Sequence, residues 1–339
     1  MNSALLSATD LKIQIQQHLS VDLQAVNQIL ARSLRSQNSF VADVLEHVAR
    51  YRGKQIRPIL LLLTNRMLAG KSNPKGQTLA AAIEMIHVAT LVHDDVIDEA
   101  ETRRHVATVH RRWNTETSVL LGDFLFSRAF HLSATTGDAN ACVLIGKATD
   151  RTCEGELNQI AARLERSDSE VDYFRIIRGK TGQLFALSCQ LGIAAAGGTV
   201  AQCRAAARFG MRLGMAFQIA DDALDVNQSQ ESTGKDAGND VQNGRRTLPV
   251  LRALQAGQND RSVAVQNELR VLQDWLRGDQ VLDHAEFRQM QLIQRGVQSA
   301  MDTAEQLVNR AIRGLSKFPD CADRRMLEAI AAYAVQRQQ

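Results

Sequence analysis

Three aspartates close one of the most apolar stretches of this chain, and few folds can accommodate that. The run from Leu79 carries helical periodicity into Leu91-Val-His-Asp-Asp-Val-Ile-Asp-Glu99. On a helix, residues four apart share a face, so Asp94 and Asp98 point the same way with Asp95 beside them. Like charges at that spacing repel, and burying them costs more still unless a cation neutralises them. Two readings fit at this point. One is a solvated acidic face; the other is a seat for a hard, oxygen-seeking divalent ion such as Mg2+, which takes one or two carboxylates and leaves room for phosphate oxygens. The spacing then recurs at Gln218-Ile-Ala-Asp-Asp-Ala-Leu-Asp225, again behind an apolar helical run, Phe209 to Ala220. Solvation is a poor account of two such triplets. They predict two facing helices that present carboxylates across a shared cavity, with metal ions bridging a diphosphate between them.

The remaining sequence predicts a helical frame. Ala, Leu, Gln and Arg dominate, aromatics make up 4%, and almost no stretch alternates with period two. The four prolines stand near the edges of helical runs, and no linker divides the 339 residues. An all-α protein with one large core follows, residues 1–339 forming a single domain. A formal charge of +3 is too small to argue for nucleic acid, and no block of like charge marks an interaction tail. Five scattered cysteines without metal-ligand spacing read as small core residues in a reducing compartment. The first ten residues lack the pattern of a signal peptide, and the apolar runs are too short to span a bilayer. The expected location is the cytoplasm.

Several basic and polar groups stand where an anion could use them. Gly53-Lys-Gln-Ile-Arg-Pro58 precedes an apolar run, and Pro58 suits a first helical turn. Lys54 and Arg57 would then sit at a helix N-terminus that already favours an anion, unless the segment is simply a solvated basic turn. His87 lies two turns before Asp94 on the same face, as a core histidine or a functional one. Arg103 and Arg104 can counter the carboxylates or fork onto phosphate oxygens. Gly179-Lys-Thr-Gly-Gln183 interrupts a helical pattern with two glycines, which predicts a kink or a close ligand rather than a Walker loop. The polar segment Asn227 to Arg246 carries Gly234, Gly238 and Gly244 with Lys235, Arg245 and Arg246, a composition able to fold over a ligand.

Taken together, these motifs resemble the trans-prenyl diphosphate synthases. The matching parts are Gly53-Lys54-x-x-Arg57-Pro58, His87, Asp94-Asp95-x-x-Asp98 with Arg103-Arg104, Gly179-Lys180-Thr181-Gly182, Gln218 with Asp221-Asp222-x-x-Asp225, Gly234-Lys235-Asp236, and Gly244 to Pro249. The likeness runs from about Leu23 to Arg337. It implies an isoprenoid-synthase helical bundle with a central active-site cavity. It also implies that Asp94, Asp95, Asp98 and Asp221, supported by Asp222 and Asp225, hold Mg2+ on an allylic diphosphate, with three ions per site and Mn2+ as the alternative ion. Arg103, Lys180, Lys235 and Arg245 would add charge to that group. Lys54, Arg57, His87 and Arg104 would bind isopentenyl diphosphate, and Thr181 and Gln218 would direct oxygens toward the allylic cation. The family usually has lysine at Arg245, so the charge survives but the point-donor geometry does not. The allylic partner would be dimethylallyl, geranyl, farnesyl or geranylgeranyl diphosphate, and the assembly a homodimer.

Product length follows from the same resemblance. Bulky residues four and five positions before the first aspartate close the product tunnel early in this family. Here Thr90 and Ala89 are small. A helix from Gln77 to Asp98 is about 33 Å long, room for seven or eight isoprene units at roughly 4–5 Å each, with Ile86 or Met85 as a floor. A medium-to-long product of about C30–C50, octaprenyl-like and passed on to membranes, is expected. The rivals explain less. A farnesyl or geranylgeranyl synthase conflicts with the small residues, a class I terpene cyclase leaves Lys54, Arg57 and Arg104 idle, and an HD-type phosphohydrolase built on His93-Asp94 ignores the second triplet. A non-catalytic partner subunit should have lost acidic residues that this chain retains.

Overall fold

The computed structural model describes residues 8–51, 53–227, 246–280 and 282–336, and nearly all of them are helical. Helices α1 (Ala8–His18), α2 (Ser20–Ser33), α3 (Ser39–Ala49), α4 (Ile56–Ala69) and α5 (Pro74–Ile97) lead to a hairpin of β1 (Thr102–Arg103) and β2 (Val106–Ala107). Then come α6 (Val109–Arg112), α7 (Thr115–Ala134), α8 (Ala139–Glu165) and α9 (Glu170–Ile177). A π-helical turn, Arg178–Gly182, passes into α10 (Gln183–Ala195), followed by α11 (Val200–Asn227), α12 (Leu248–Asn259), α13 (Val263–Arg277), α14 (His284–Gln289), α15 (Gln291–Leu315) and α16 (Ala322–Gln336). The all-α expectation therefore holds, with the short hairpin as the departure among the described residues.

Local chemistry sets the helix starts. Asn38, Asn73 and Asn114 each accept a backbone N–H three residues on, at 3.1, 2.7 and 2.7 Å, which satisfies a donor the first turn leaves open. Ser169 does the same for Asp172 at 3.3 Å. Asn73 also explains why α5 begins three residues before Gln77: with that cap in place, Pro74 fills the first helical position, where its missing N–H costs nothing. Gly70, at φ 75°, ends α4 as a left-handed cap. Pro58 falls in the first turn of α4, as its position before an apolar run implied.

The chain divides into two compact units. The first takes residues up to Asp150 with Leu184–Met211 and Ile312–Ile330; the second takes Arg151–Gln183, Arg212–Ala311 and the residues from Ala331. Within the first unit, α5 is the most enclosed helix. Every residue from Leu79 to Ile86 is buried, and α7, α4 and α2 pack around it. A helix buried on every side has no polar stripe to lose. Beside it a polar network staples α1, α2, α4, α5 and α16: Arg66 bridges buried Asp22 (3.1 Å) and Asp323 (2.9 Å), while His18 and Gln77 reach the same two carboxylates. The second unit is organised around the C-terminal part of α11 (Ala220, Ala223, Val226), packed with Val250, Leu269, Phe287 and Ile293 from α12 to α15. Among the described residues no helix is long and apolar enough to cross a membrane.

The paired glycines resolve as both a kink and a close approach. The π turn absorbs Gly179 and Gly182, and a Cβ on Gly155 of α8 would lie 2.6 Å from Lys180 N and 2.9 Å from the Gly179 carbonyl carbon. The cysteines meet the core expectation only in part: none forms a disulfide, Cys189 is buried, Cys142, Cys203 and Cys321 are half-buried, and Cys153 is exposed.

Gly155→Ala isolates the close approach. Helix propensity alone would stabilise the variant by about 1 kcal/mol. Backbone atoms cannot step aside, so net destabilisation of about 1–3 kcal/mol is expected, read as a lower midpoint in urea unfolding.

Candidate active site

The first cluster lies wholly in the first unit. Arg57, in the opening turn of α4, is half-buried with its guanidinium 5.0 Å from the Phe185 ring centroid. Burial pulls its pKa down to about 10, opposed by Glu84. His87 on α5 is held well below its ordinary value by desolvation, and next by the positive charges of Arg57, Arg104 and Arg103. Arg104 is lowered by burial and by Arg103, with Glu84 again opposing. Its guanidinium donates to the Tyr51 carbonyl and occupies space that a side chain at Gly53 would fill. Three guanidinium groups thus act on one neutral imidazole; Glu84, 4% exposed, is the counter-charge of Arg57 and Arg104, and Asp95 pairs with Arg103. Two guanidinium groups against the one carboxylate of Glu84 leave a positive charge that an anion would relieve. Lys54 is exposed in the loop before α4.

The first acidic triplet stands at the end of α5 beside those cations. Asp95 is only 1% exposed. Its Oδ1 accepts from Arg103 Nε at 2.8 Å and Nη2 at 2.6 Å, while its Oδ2 has no hydrogen-bond partner among the described residues. Desolvation raises the Asp95 pKa, Arg103 opposes the rise, and the neighbouring charge of Asp94 adds to it. Asp94 and Asp98 are half-buried, one turn apart, and the Asp98 N–H closes on the Asp94 carbonyl at 2.8 Å. A buried carboxylate oxygen without a donor, next to a like charge, is a place short of positive charge. All of the donors here are carboxylate oxygens, which suits a hard divalent cation. Among the described residues no three acidic, His or Cys side chains already converge on one point as an ion cage. Bare carboxylates repel, and Arg103 draws Asp95 aside.

The second cluster lies in the second unit and repeats the pattern. Asp222, 5% exposed, is the inward member of its triplet. Its Oδ2 accepts from the Tyr173 hydroxyl at 2.6 Å and its Oδ1 from Gln218 Nε2 at 2.8 Å. Gln218 Oε1 in turn accepts from the Thr181 hydroxyl at 2.7 Å. Thr181, Gln218 and Asp222 therefore form one chain of hydrogen bonds from the π turn into α11. Asp221 and Asp225 are the half-buried pair, four residues apart on the other face. Lys180, the neighbour of Thr181, pairs with Glu156 of α8 at 2.8 Å.

Of the residues singled out in the sequence, Arg57, His87, Asp95, Arg103 and Arg104 come together in the first cluster, with Asp94 beside Asp95. Thr181, Gln218 and Asp222 come together in the second. Lys235 and Arg245 lie outside the described residues. Ala89 is fully buried on α5 and Thr90 half-buried, its hydroxyl donating to the His87 carbonyl at 2.8 Å. Sequence reasoning missed Glu84, Tyr51, Glu156 and Tyr173. Glu84 had a signal, being a lone acid inside the apolar run of α5 and one turn before His87. Tyr173 had none, because its contact with Asp222 spans 49 residues.

Comparison with known proteins converges on one group. The polyprenyl synthetase family model matches residues 38–274. An octaprenyl diphosphate synthase of Haemophilus influenzae is 32% identical over 96% of each chain. An all-trans-nonaprenyl-diphosphate synthase of Rhodobacter capsulatus, specific for geranyl diphosphate, is 35% identical over 92% of this chain and 98% of that one. Among solved structures, a polyprenyl synthase of Caulobacter crescentus complexed with calcium and isoprenyl diphosphate superposes with a TM-score of 0.86 at 34% identity, covering 97% and 98% of the two chains.

His87 should carry an acid-sensitive share of the stability. Its folded pKa lies below 6.5, its ordinary value, so the unfolded chain binds the proton more readily. Stability is then fully present above that value and falls as pH drops below it. The wild-type urea midpoint should decline over this window more steeply than that of His87→Gln; parallel curves would contradict the buried neutral imidazole.

Proposed function

The chain belongs to the polyprenyl synthetase family, and from that membership we propose that it is a transferase condensing isopentenyl diphosphate head-to-tail with an allylic diphosphate into a medium- or long-chain trans-polyprenyl diphosphate. The observation that carries this reading is the positively charged cluster of Arg57, His87, Arg103 and Arg104, placed against a carboxylate triplet on the same helix. An enzyme that uses two diphosphates needs a seat for one that does not ionise, next to a seat for one that does. A cyclase with a single diphosphate has no work for the first.

Residue roles follow the charges. Lys54, Arg57, His87 and Arg104 bind isopentenyl diphosphate, with Glu84 as the counter-charge of the two arginines. His87 enters as a neutral donor, which suits an anion without adding another desolvated charge. Arg103, Lys180, Lys235 and Arg245 face the allylic diphosphate. Asp94, Asp95, Asp98, Asp221, Asp222 and Asp225 would hold Mg2+, with three ions per site and Mn2+ as the substitute, and so would supply positive charge against that of the departing diphosphate.

In the reaction the allylic C1–O bond breaks with its electron pair retained by the diphosphate, and fixed cations meet that charge. The Thr181 and Gln218 oxygens are directed to the carbocation and shield it from water. The isopentenyl double bond attacks C1 through its C4, and the proton lost afterwards goes to the released diphosphate, since no side-chain base stands out among the described residues. Holding both substrates removes much of the entropic barrier. Small Ala89 and Thr90 leave the tunnel open, for a product of about C30–C50 along the α5 axis. The chain works as one catalytic domain, assembles as a homodimer and resides in the cytoplasm, from which a long product passes to membranes.

Incubation with Mg2+, an allylic primer and labelled isopentenyl diphosphate, followed by chromatography, tests this directly. Products shorter than about C30 would refute the length assignment. Asp94→Ala and Asp221→Ala should each lower turnover by about a hundredfold or more while the circular dichroism spectrum stays unchanged; near wild-type rates in either would remove that residue from the site. Ala89→Phe should shift the product to shorter chains at a similar total rate. An unchanged length distribution would locate the chain's growth elsewhere.

A further inference from the structure

The two arginines that define the first cluster ride on a hairpin that cannot hold itself. It has two residue pairs, Thr102 with Ala107 and Arg103 with Val106, far below what an isolated hairpin needs for stability. Its turn residues, Arg104 and His105, both adopt left-handed backbone at φ 52° and 64°, the geometry of a tight hairpin turn but one that favours glycine or asparagine. Such a conformation persists only where the surroundings over-determine it.

Those surroundings are one side of α3 and the residues just after it. His47, 3% exposed, contacts the Ala107 carbonyl through Nε2 at 2.7 Å and the Arg112 guanidinium through Nδ1 at 2.8 Å. A carbonyl only accepts and a guanidinium only donates, so the imidazole is neutral, with its proton on Nε2. Burial, Arg112 and Arg50 all depress its pKa, against the pull of Ala107. Edge-on contacts with Trp113 (5.1 Å) and Tyr51 (5.9 Å) fix the ring plane. The Tyr51 hydroxyl donates to the same Ala107 carbonyl at 3.4 Å, and the Tyr51 carbonyl accepts from Arg104. The hairpin is therefore gripped at β2 by two side chains and at its turn by one main-chain oxygen, while Asp95 of α5 takes Arg103 of β1 and Thr108 closes its base.

We propose that His47 is a positioning residue for the isopentenyl-diphosphate subsite, acting through the Ala107 carbonyl and the hairpin to hold Arg104 in place. The assignment rests on the function proposed above. In it His47 binds no substrate itself and acts through the hairpin.

The test compares His47→Phe, His47→Gln and Tyr51→Phe in steady-state turnover, beside hydrogen exchange of the amides from Arg103 to Ala107. His47→Phe keeps the ring packing and loses both hydrogen bonds. It should raise KM for isopentenyl diphosphate about tenfold, with kcat within about twofold, and should speed hairpin exchange. His47→Gln, whose amide can still donate to Ala107, should restore most of the affinity, and Tyr51→Phe should show a smaller rise. A lowered melting temperature in His47→Phe with KM unchanged would make the residue merely structural and overturn the proposal, as would equal KM values for His47→Phe and His47→Gln. Absence of isopentenyl transfer in the wild type would sink the functional reading instead. In that case unchanged hairpin exchange in His47→Phe would overturn the positioning role separately.

Discussion

Burying a carboxylate among apolar residues is the constraint on which both acidic clusters depend. In each triplet the middle aspartate turns inward, Asp95 at 1% and Asp222 at 5% exposure, because a helix places residue i+1 about a quarter-turn from i and i+4. An inward carboxylate needs donors, or it takes up a proton. Asp95 obtains two from Arg103 through one oxygen. Asp222 obtains one on each oxygen, from Tyr173 and Gln218. The middle aspartates thereby anchor the ends of their helices. Asp94 with Asp98, and Asp221 with Asp225, are left on the other face, half-buried and mutually repelling.

The two anchors are not equivalent, and the difference is chemical. Asp222 accepts from two neutral donors, Tyr173 and Gln218, and Gln218 also takes the Thr181 hydroxyl. Asp95 relies on Arg103, and its Oδ2 has no hydrogen-bond partner among the described residues. An anion that drew Arg103 away would leave Asp95 in need of a new positive charge. Such coupling would give a physical reason for an anion and a divalent ion to bind together on this side. The neighbouring cluster shows the converse balance. Arg57 and Arg104 share Glu84 as counter-charge while Arg103 pairs with Asp95, and His87, held neutral, adds no further positive charge.

Much of this was legible in the chain itself. Helical periodicity without alternation gave the all-α class, and Pro58 marked a first helical turn where one occurs. The glycines of Gly179-Lys-Thr-Gly predicted an irregular turn, found as a π turn against Gly155. The start of α5 was misplaced because Asn73 and Pro74 read as a loop, although together they form a cap and a first helical position. The hairpin was missed entirely. Two residues per strand leave no periodic trace, and its arginines looked like a basic loop.

What the sequence determined alone is whatever depends on residues three or four apart: the helices, their caps, and the sharing of a face by Asp94 with Asp98 and by Asp221 with Asp225. The tertiary structure decided which carboxylate of each triplet is buried, that Glu84 balances Arg57 and Arg104, that Lys180 pairs with Glu156, and that His47 holds the hairpin. These pairings join residues 20 to 60 positions apart. Local pattern carries no information about partners at such separations. They form because packing α5 and α11 into apolar surroundings leaves each buried polar atom to find a partner across the unit, and which partner is near enough is set by the packing of whole helices.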